Sequence, residues 1–339
     1  MQINEKRRES MSTRRKKVLV TGGAGFIGSH IVDLLIDNGY ELIIVDDLSS
    51  GKKENINPKA RFYQSNISDP CIKEIFNTEK PDYVCHQAAQ VSVSYSVHNP
   101  KLDAQCNIIG LLNLLENSLE NQVKGIVFAS SGGTVYGECK SLPIVENIPL
   151  YPTSPYGISK MASEFYLDFY YRTYNLKYIS LRYGNAYGPR QDPLGEAGVI
   201  AIFIAKMLKG EPPIINGDGE YIRDYIYVKD IANACLLSIK NMLKLAELKN
   251  KKTIKKTFNS FNVGTGRGIS VNQLYSSLQE IIRFNKKALY GPPRIGDLRK
   301  NILDSTLAEQ KLGWKAQYGL AEGLRETVEW FKLRERRSK

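Results

Sequence analysis

A tyrosine followed four residues later by a lysine occurs three times in this chain: Tyr136/Lys140, Tyr156/Lys160 and Tyr225/Lys229. On a helix that spacing puts phenol and ammonium on one face, about one turn apart. Tyr225 and Lys229 lie in YIYVK, an alternating strand pattern that holds their Cα atoms on the order of 13 Å apart. Tyr136 and Lys140 lie at a turn, Tyr136 just before GECKSLP and Lys140 within it. Only SPYGISKMASEFYLDFYYRTY opens after a proline and runs on with helical spacing. A phenol of pKa near 10 is a poor base at neutral pH, and a nearby cation lowers that value. Tyr156 and Lys160 are therefore the candidate catalytic pair, with Tyr156 as proton acceptor.

A second chemical signal lies in Thr21-Gly22-Gly23-Ala24-Gly25-Phe26-Ile27-Gly28. Glycines three apart, after an apolar strand and before a helix, let the backbone approach a pyrophosphate. The amides at the helix start then face the negative charge. Eighteen residues past Gly28, a second strand ends in Asp46-Asp47. A carboxylate there meets the ribose hydroxyls of a bound adenosine, so the site is expected to hold a dinucleotide. Two acids would repel a 2′-phosphate, which favours NAD over NADP, although Lys52 and Lys53 follow closely. A P-loop needs a lysine after the glycines, and Ser29 and His30 stand there instead. The positive nicotinamide ring would add to the effect of Lys160 on Tyr156.

A third stretch is ambiguous by itself. ASSGGTVYG, residues 129–137, ends an apolar run with hydroxyls at Ser130, Ser131 and Thr134 and a glycine pair between. It reads either as a strand entering a turn or as the floor of an active site.

The elements that must position these residues alternate strand with helix. KVLV leads into the glycine turn, and IGSHIVDLLIDNG is a helix closed by Gly39. Strand patterns follow at YELIIVDD, DYVCHQAA, KGIVFASS and LKYISLRYGNAYG, with helical stretches near 70–79, 101–121 and 156–174. This alternation predicts an α/β fold: a doubly wound parallel sheet, covered on both faces. Beyond about residue 190 the pattern loosens into Gly/Pro-rich loops, a helix near 198–209 and the strand and helix of DYIYVKDIANACLLSI. That predicts a smaller, mixed C-terminal domain reached by more than one crossing.

Composition narrows the function classes. The net charge of +12 is concentrated in residues 1–17 (+5), 240–256 (+6) and 331–339 (+4), so the rest of the chain is slightly acidic. Solvated tails explain that better than a nucleic-acid surface, and no zinc-finger or RNP-like pattern is present. No apolar run reaches the roughly 18 residues of a membrane span. The five cysteines are scattered, with no metal-ligand spacing, which favours a reducing cytoplasm and no metal.

TGGAGFIG, the acid pair, HQAA, VYG, YGISK, RYGNAYGPRQ and RDYIYVKD stand in the order seen in extended short-chain dehydrogenase/reductases. Over about residues 17–330 the chain most resembles the nucleotide-sugar epimerases among them, the group of UDP-glucose 4-epimerase. The resemblance implies a Rossmann-like domain over 17–190 and 226–265, and a nucleotide-sugar domain over 191–225 and 266–335, after a disordered basic tail, 1–16. It implies bound NAD, epimerisation at C4 of a UDP-sugar through a 4-keto intermediate, and a homodimer paired through helices near 101–120 and 156–175.

Residue by residue, the resemblance places the cofactor pyrophosphate against Gly22, Gly25, Phe26, Ile27 and Gly28. The adenosine ribose would lie beside Asp46, Asp47, Ser49, Ser50 and Gly51. Asn66 and Ile67 would flank the adenine, and Asn66 departs from the family's usual Asp. Gln87, Ala88 and Ala89 would follow the cofactor after strand four, Asn107 would close its site, and Tyr183 would line it. Lys160 would also hold the nicotinamide ribose. On the substrate side the resemblance names Gln90, Asn185, Arg223, Arg294 and Asp297, with Asn301 against the sugar. Small residues at that last place admit N-acetylated sugars, and the Asn301 amide is expected to hydrogen-bond an acetamido group.

One departure bears on the floor. The family carries Ser or Thr three positions before VYG, to bond the sugar hydroxyl, and here that position is Gly132. Ser131 or Thr134 is expected to supply the hydroxyl, with Ser131 preferred. The rival readings are a 4,6-dehydratase, a UDP-glucuronate epimerase or decarboxylase, and a non-catalytic NAD-binding sensor. A dehydratase needs carboxyl groups that Gly132-Gly133-Thr134 does not supply, and intact Tyr156 and Lys160 weigh against a sensor.

Overall fold

A computed structural model describes residues 14–194, 198–249, 259–293 and 298–337. The expected tail therefore falls largely outside the described residues, as do Arg294, Asp297 and the 250–256 part of the lysine-rich insertion.

Seven parallel strands form the main sheet. They are β1 (Lys17–Thr21), β2 (Glu41–Asp46), β3 (Arg61–Gln64), β4 (Tyr83–His86), β5 (Gly125–Ser131), β6 (Tyr178–Tyr183) and β10 (Ser260–Val263). Their order is β10-β6-β5-β4-β1-β2-β3. Alternate residues of one strand feed two cores. Val18 and Val20 pack on one face with Ile31, Leu35, Ile231 and Leu236. Leu19 packs on the other with Ile75, Leu111, Leu115 and Leu167. Burial on both faces explains why the inner strands are almost wholly apolar. The edge strand β3, RFYQ, is partly exposed and lacks that signature.

Helix α1 (Phe26–Asp37) packs against α8 (Val228–Lys249) on the first face. The second face carries α2 (Ile72–Glu79), α5 (Gly110–Glu120) and α6 (Pro155–Tyr174). The stretch expected as one helix over 101–121 is broken: α4 (Pro100–Ala104) passes through a π-helical turn, Gln105–Ile109, into α5. Asn107, inside that turn, is buried. Helix α3 (Val93–His98) precedes α4.

The smaller region is mixed. β7 (Asn185–Tyr187), β9 (Ile222–Tyr227), β11 (Gly268–Ser270) and β13 (Lys300–Asn301) form one sheet, and β8 (Ile214–Asn216) pairs with β12 (Leu289–Gly291). A separate core joins α7 (Val199–Leu208), α9 (Val271–Ile282) and α11 (Leu320–Arg337) through Phe203, Leu274 and Leu324. A short helix, α10 (Thr306–Leu312), lies between β13 and α11. The chain leaves the smaller sheet at Tyr227 and returns to the main one through α8 and β10. No helix among the described residues is long and apolar enough to cross a membrane.

Candidate active site

The sheet order reverses between β1 and β4. Ligands of such sheets lie beyond the carboxyl ends of the strands at that switch point. Thr21, His86, Ser131 and Tyr183 all end strands there. The Thr21 hydroxyl lies 2.7 Å from His86 Nδ1 and accepts the Gln87 and Ala88 amides, tying the ends of β1 and β4 together.

The glycine turn has little room for side chains. Gly22 has φ +68°, and a Cβ there would lie 2.7 Å from the Ala88 nitrogen. A Cβ on Gly28 would come within 2.1 Å of the Gly22 carbonyl oxygen. Helix α1 is capped by Gly25 with no side-chain hydrogen bond, so no capping side chain occupies its first amides. That cradle fits a dinucleotide pyrophosphate.

The acid pair divides its work. Asp46 is buried, accepts the Ala24 amide at 2.9 Å and the Leu48 amide at 2.9 Å, and its pKa is raised by burial. A Cβ on Gly51 would press to 2.6 Å from Asp46 Oδ1, so glycine keeps that carboxylate approachable. Asp47 is exposed and accepts from Ser49 N and Oγ and from Asn66 Nδ2. Asn66, the departure from the family's Asp, thus braces Asp47. Ser50 is exposed beside it, and Ile67 is buried below.

Tyr156 sits in the first turn of α6, two residues past its cap, Ser154. Its backbone N–H donates to Ser96 Oγ at 3.2 Å. Gly157 lets this turn approach the floor: a Cβ there would stand 2.9 Å from the Thr134 carbonyl. Burial pushes the Tyr156 phenol up to about 12, against a hydrogen bond from Ser131 and with added push from Asp103. Lys160 is 3% exposed. Its ammonium donates to the Ala129 carbonyl at 2.9 Å and lies 5.7 Å from the Tyr156 ring centroid. Burial pulls it down to about 8, with Asp103 acting in the opposite direction. In the chain by itself, desolvation thus dominates the phenol, and the partner that lowers it is Ser131.

One turn along α6, Glu164 receives Ser130 (2.5 Å), Ser180 (3.1 Å), Ser260 (3.0 Å) and two Arg182 nitrogens (2.9 and 2.6 Å). Arg182 also donates to the Tyr136 hydroxyl at 2.8 Å, which donates to Asn262 at 2.6 Å. This network lies under the floor and joins α6 to three strands.

The floor resolves into distinct positions. Ser131 faces the phenol. Thr134 Oγ1 is buried with no hydrogen-bond partner. A Cβ on Gly132 would lie 2.5 Å from a Leu303 methyl and 3.1 Å from the Arg182 carbonyl oxygen, so a side chain there requires Leu303 to shift. Asn301 is buried, and its Nδ2 donates to the Gly132 carbonyl at 3.0 Å. The amide expected to serve an acetamido group is thus a strut from β13 to the floor, with Oδ1 buried and unpartnered.

Other expected contacts are engaged within the protein. Gln90 is tied to Asp103 (2.9 Å), Ser92 and Asn107. Its carboxamide thus braces the loop. Asn107 donates to Asp103 (3.0 Å) and the Gln90 carbonyl. The Tyr183 hydroxyl meets Gln87 at 3.3 Å and Cys235 at 3.2 Å. Ala89 follows Ala88 past β4, partly buried. Asn185 and Arg223 lie on the neighbouring strands β7 and β9, both partly buried.

A family model, the NAD dependent epimerase/dehydratase family, matches residues 18–255. The chain belongs to this family. It is 48% identical over 315 residues to a putative UDP-glucose 4-epimerase of Methanocaldococcus jannaschii, covering 93% of this chain and 98% of that one. Among solved structures it is similar to the UDP-glucose 4-epimerase of Thermotoga maritima with UDP-glucose, at 52% identity and TM-score 0.88, covering 94% of this chain and 99% of that one. The UDP-glucose 4-epimerase of Thermus thermophilus in complex with NAD matches at 41% identity and TM-score 0.84, covering 93% and 99%. The Rossmann-like sheet of the epimerase/dehydratase family is thus the sheet of this chain.

Sequence reasoning missed Asp103. It accepts from Ser159, Gln90 and Asn107 and stands behind both members of the pair. Its position in LDAQCN reads as an ordinary helical stretch, and its partners Ser159 and Gln90 come from other segments of the chain.

Proposed function

We propose that this chain interconverts UDP-glucose and UDP-galactose by NAD-dependent epimerisation at C4, with UDP-GlcNAc as a second sugar to be tested. The observation that carries the reading is Ser131, Tyr156 and Lys160 converging at the carboxyl ends of the strands. It is supported by relatives named as UDP-glucose 4-epimerases over nearly the whole chain.

Gly22, Gly25, Phe26, Ile27 and Gly28 would hold the pyrophosphate of NAD, and Asp46 with Asp47 the adenosine ribose. When bound, NAD accepts and returns the hydride at sugar C4 and so is regenerated in every turnover. Tyr156 Oη takes the 4-hydroxyl proton as C4 becomes a ketone, and returns it after the sugar has turned. Ser131 holds the same hydroxyl and orients the phenol. Lys160, charged below about pH 8, stabilises the phenolate across one helical turn. Asn185 and Arg223 would face the diphosphate, for which a planar guanidinium is suited, with Arg294 and Asp297 completing the nucleotide side. The test is conversion of UDP-glucose to UDP-galactose by purified protein, beside UDP-GlcNAc and UDP-glucuronate. Turnover of UDP-glucuronate alone would replace this reading.

The unit is proposed to be a homodimer. Ile158, Phe165, Tyr166 and Phe169 project from one side of α6 at helical spacing, and Leu102 and Ile109 are exposed on the adjacent α4 and π-helical turn. So large an apolar face fits a partner copy better than solvent. The five free thiols suit a reducing cytoplasm.

A further inference from the structure

Lys52 follows Gly51, the glycine that leaves Asp46 approachable. Its backbone N–H donates to the Ala24 carbonyl at 3.0 Å, while the Ala24 N–H donates to Asp46 Oδ2 at 2.9 Å. Lys52 and Asp46 are thus attached to the same residue of the glycine turn, one through its C=O and the other through its N–H. A lysine rooted there is a ready counter-ion for a ribose 2′-phosphate, the group that separates NADP from NAD. Its ammonium is instead held by Asp192 at 2.6 Å, in a partly buried pair. Asp192 is fixed independently of Lys52. The loop carrying it is tied to α1 by His30 Nε2 on the Pro189 carbonyl at 3.0 Å and by Arg190 on Asp33 at 2.7 Å.

We propose that Asp192 is a cofactor-specificity residue, which keeps Lys52 out of the ribose corner so that the chain rejects dinucleotides bearing a 2′-phosphate. The inference rests on the placement of the dinucleotide at the glycine turn. With Lys52 neutralised, a 2′-phosphate meets Asp46 and Asp47 with no compensating charge from that lysine. With Asp192 removed, the ammonium is released on the residue next to Gly51, which lies against the Asp46 carboxylate. Lys53, next in sequence, is exposed and starts a short 3₁₀ turn, so a separate variant must distinguish it.

The test is titration of the native protein, Asp192→Asn, Lys52→Met and the double variant with NADH and NADPH, followed by dinucleotide fluorescence. Asp192→Asn should tighten NADPH roughly tenfold while NADH stays within about threefold of native. The double variant should restore the native ratio, and Lys52→Met alone should leave it unchanged. Asp192→Ser repeats the test should the Asn variant fold poorly. An unchanged ratio in both Asp192 variants would overturn the proposal, and so would a gain that persists without Lys52. Binding of neither dinucleotide by native protein would instead bring down the placement on which the inference rests.

Discussion

Lys160, on α6, and Arg182, on the strand β6 packed against it, are both buried cations, and they are treated oppositely. Arg182 is 1% exposed and meets Glu164 through two nitrogens, Tyr136 through a third, with three serines completing the carboxylate's shell. Burial alone would lower its pKa, but Glu164 outweighs that and raises it. Lys160 is 3% exposed and has one carbonyl and two aromatic rings. No carboxylate bonds it among the described residues, and burial pulls it down to about 8. A satisfied buried charge fixes structure. A buried charge left short of partners is held ready for something that enters the site.

The largest effect is expected on the satisfied side. Glu164→Gln keeps the shape but leaves the Arg182 charge uncompensated, which costs about 3–5 kcal/mol for a broken buried pair. Thermal unfolding should fall by on the order of 10 °C. Replacing both partners by apolar residues, Glu164→Leu with Arg182→Met, should recover much of that loss. A Glu164→Gln protein that melts like the native one would end the distinction between the two cations.

On the other side, Tyr156→Phe should leave the melting point near native, because the ring stays packed. Turnover should fall by roughly 10²-fold or more, as for a lost general base. The NAD content of the purified variant should be unchanged. Near-native turnover would remove Tyr156 from the chemistry.

The same contrast explains what could be read from the chain beforehand. Tyr156 and Lys160 were legible because four-residue spacing on a helix is a local pattern, and the glycine turn because its spacing serves one local geometry. Strand β3 was not, since RFYQ is a partly exposed edge without an apolar run. Asp103 and Asn301 were not legible either. The first depends on Ser159, 56 residues away in sequence, and the second on β13 meeting a floor 169 residues away. Gly132 stood out as a departure. Its cause, the approach of Leu303, belongs to tertiary packing alone.

His86 sharpens the comparison, since it is a buried base kept neutral. Burial first, and the Lys160 charge second, pull its pKa down to about 3. His30 is likewise pulled down to about 4, mainly by burial. In the unfolded chain each takes up a proton as pH falls through about 6.5, while the folded chain does not until far lower. The stability they contribute is present in full above about pH 6.5 and is lost as pH falls toward the folded values. At about pH 5 the loss is about 2 kcal/mol for each. Calorimetry from about pH 7.5 to about pH 5 should show that slope, and His86→Asn should remove about half of it. A flat profile in the native protein would mean that these histidines are not held neutral.

The smallest effect concerns the two hydroxyls of the floor. Ser131 bonds the phenol of Tyr156, whereas Thr134 Oγ1 is buried without a partner. Removing a hydrogen bond to the reacting group is worth about 1–1.5 kcal/mol, so Ser131→Ala should lower kcat roughly tenfold with little change in stability. Thr134→Val removes a buried polar atom that has no partner. It should leave kcat within about twofold and raise the melting point slightly, because an unsatisfied buried hydroxyl carries a desolvation cost. The pair of variants therefore separates a hydroxyl that acts from one that is merely enclosed. Should Thr134→Val cut kcat more than Ser131→Ala, the hydroxyl missing at Gly132 is supplied by Thr134. The glycine pair would then serve to swing Thr134 toward the sugar.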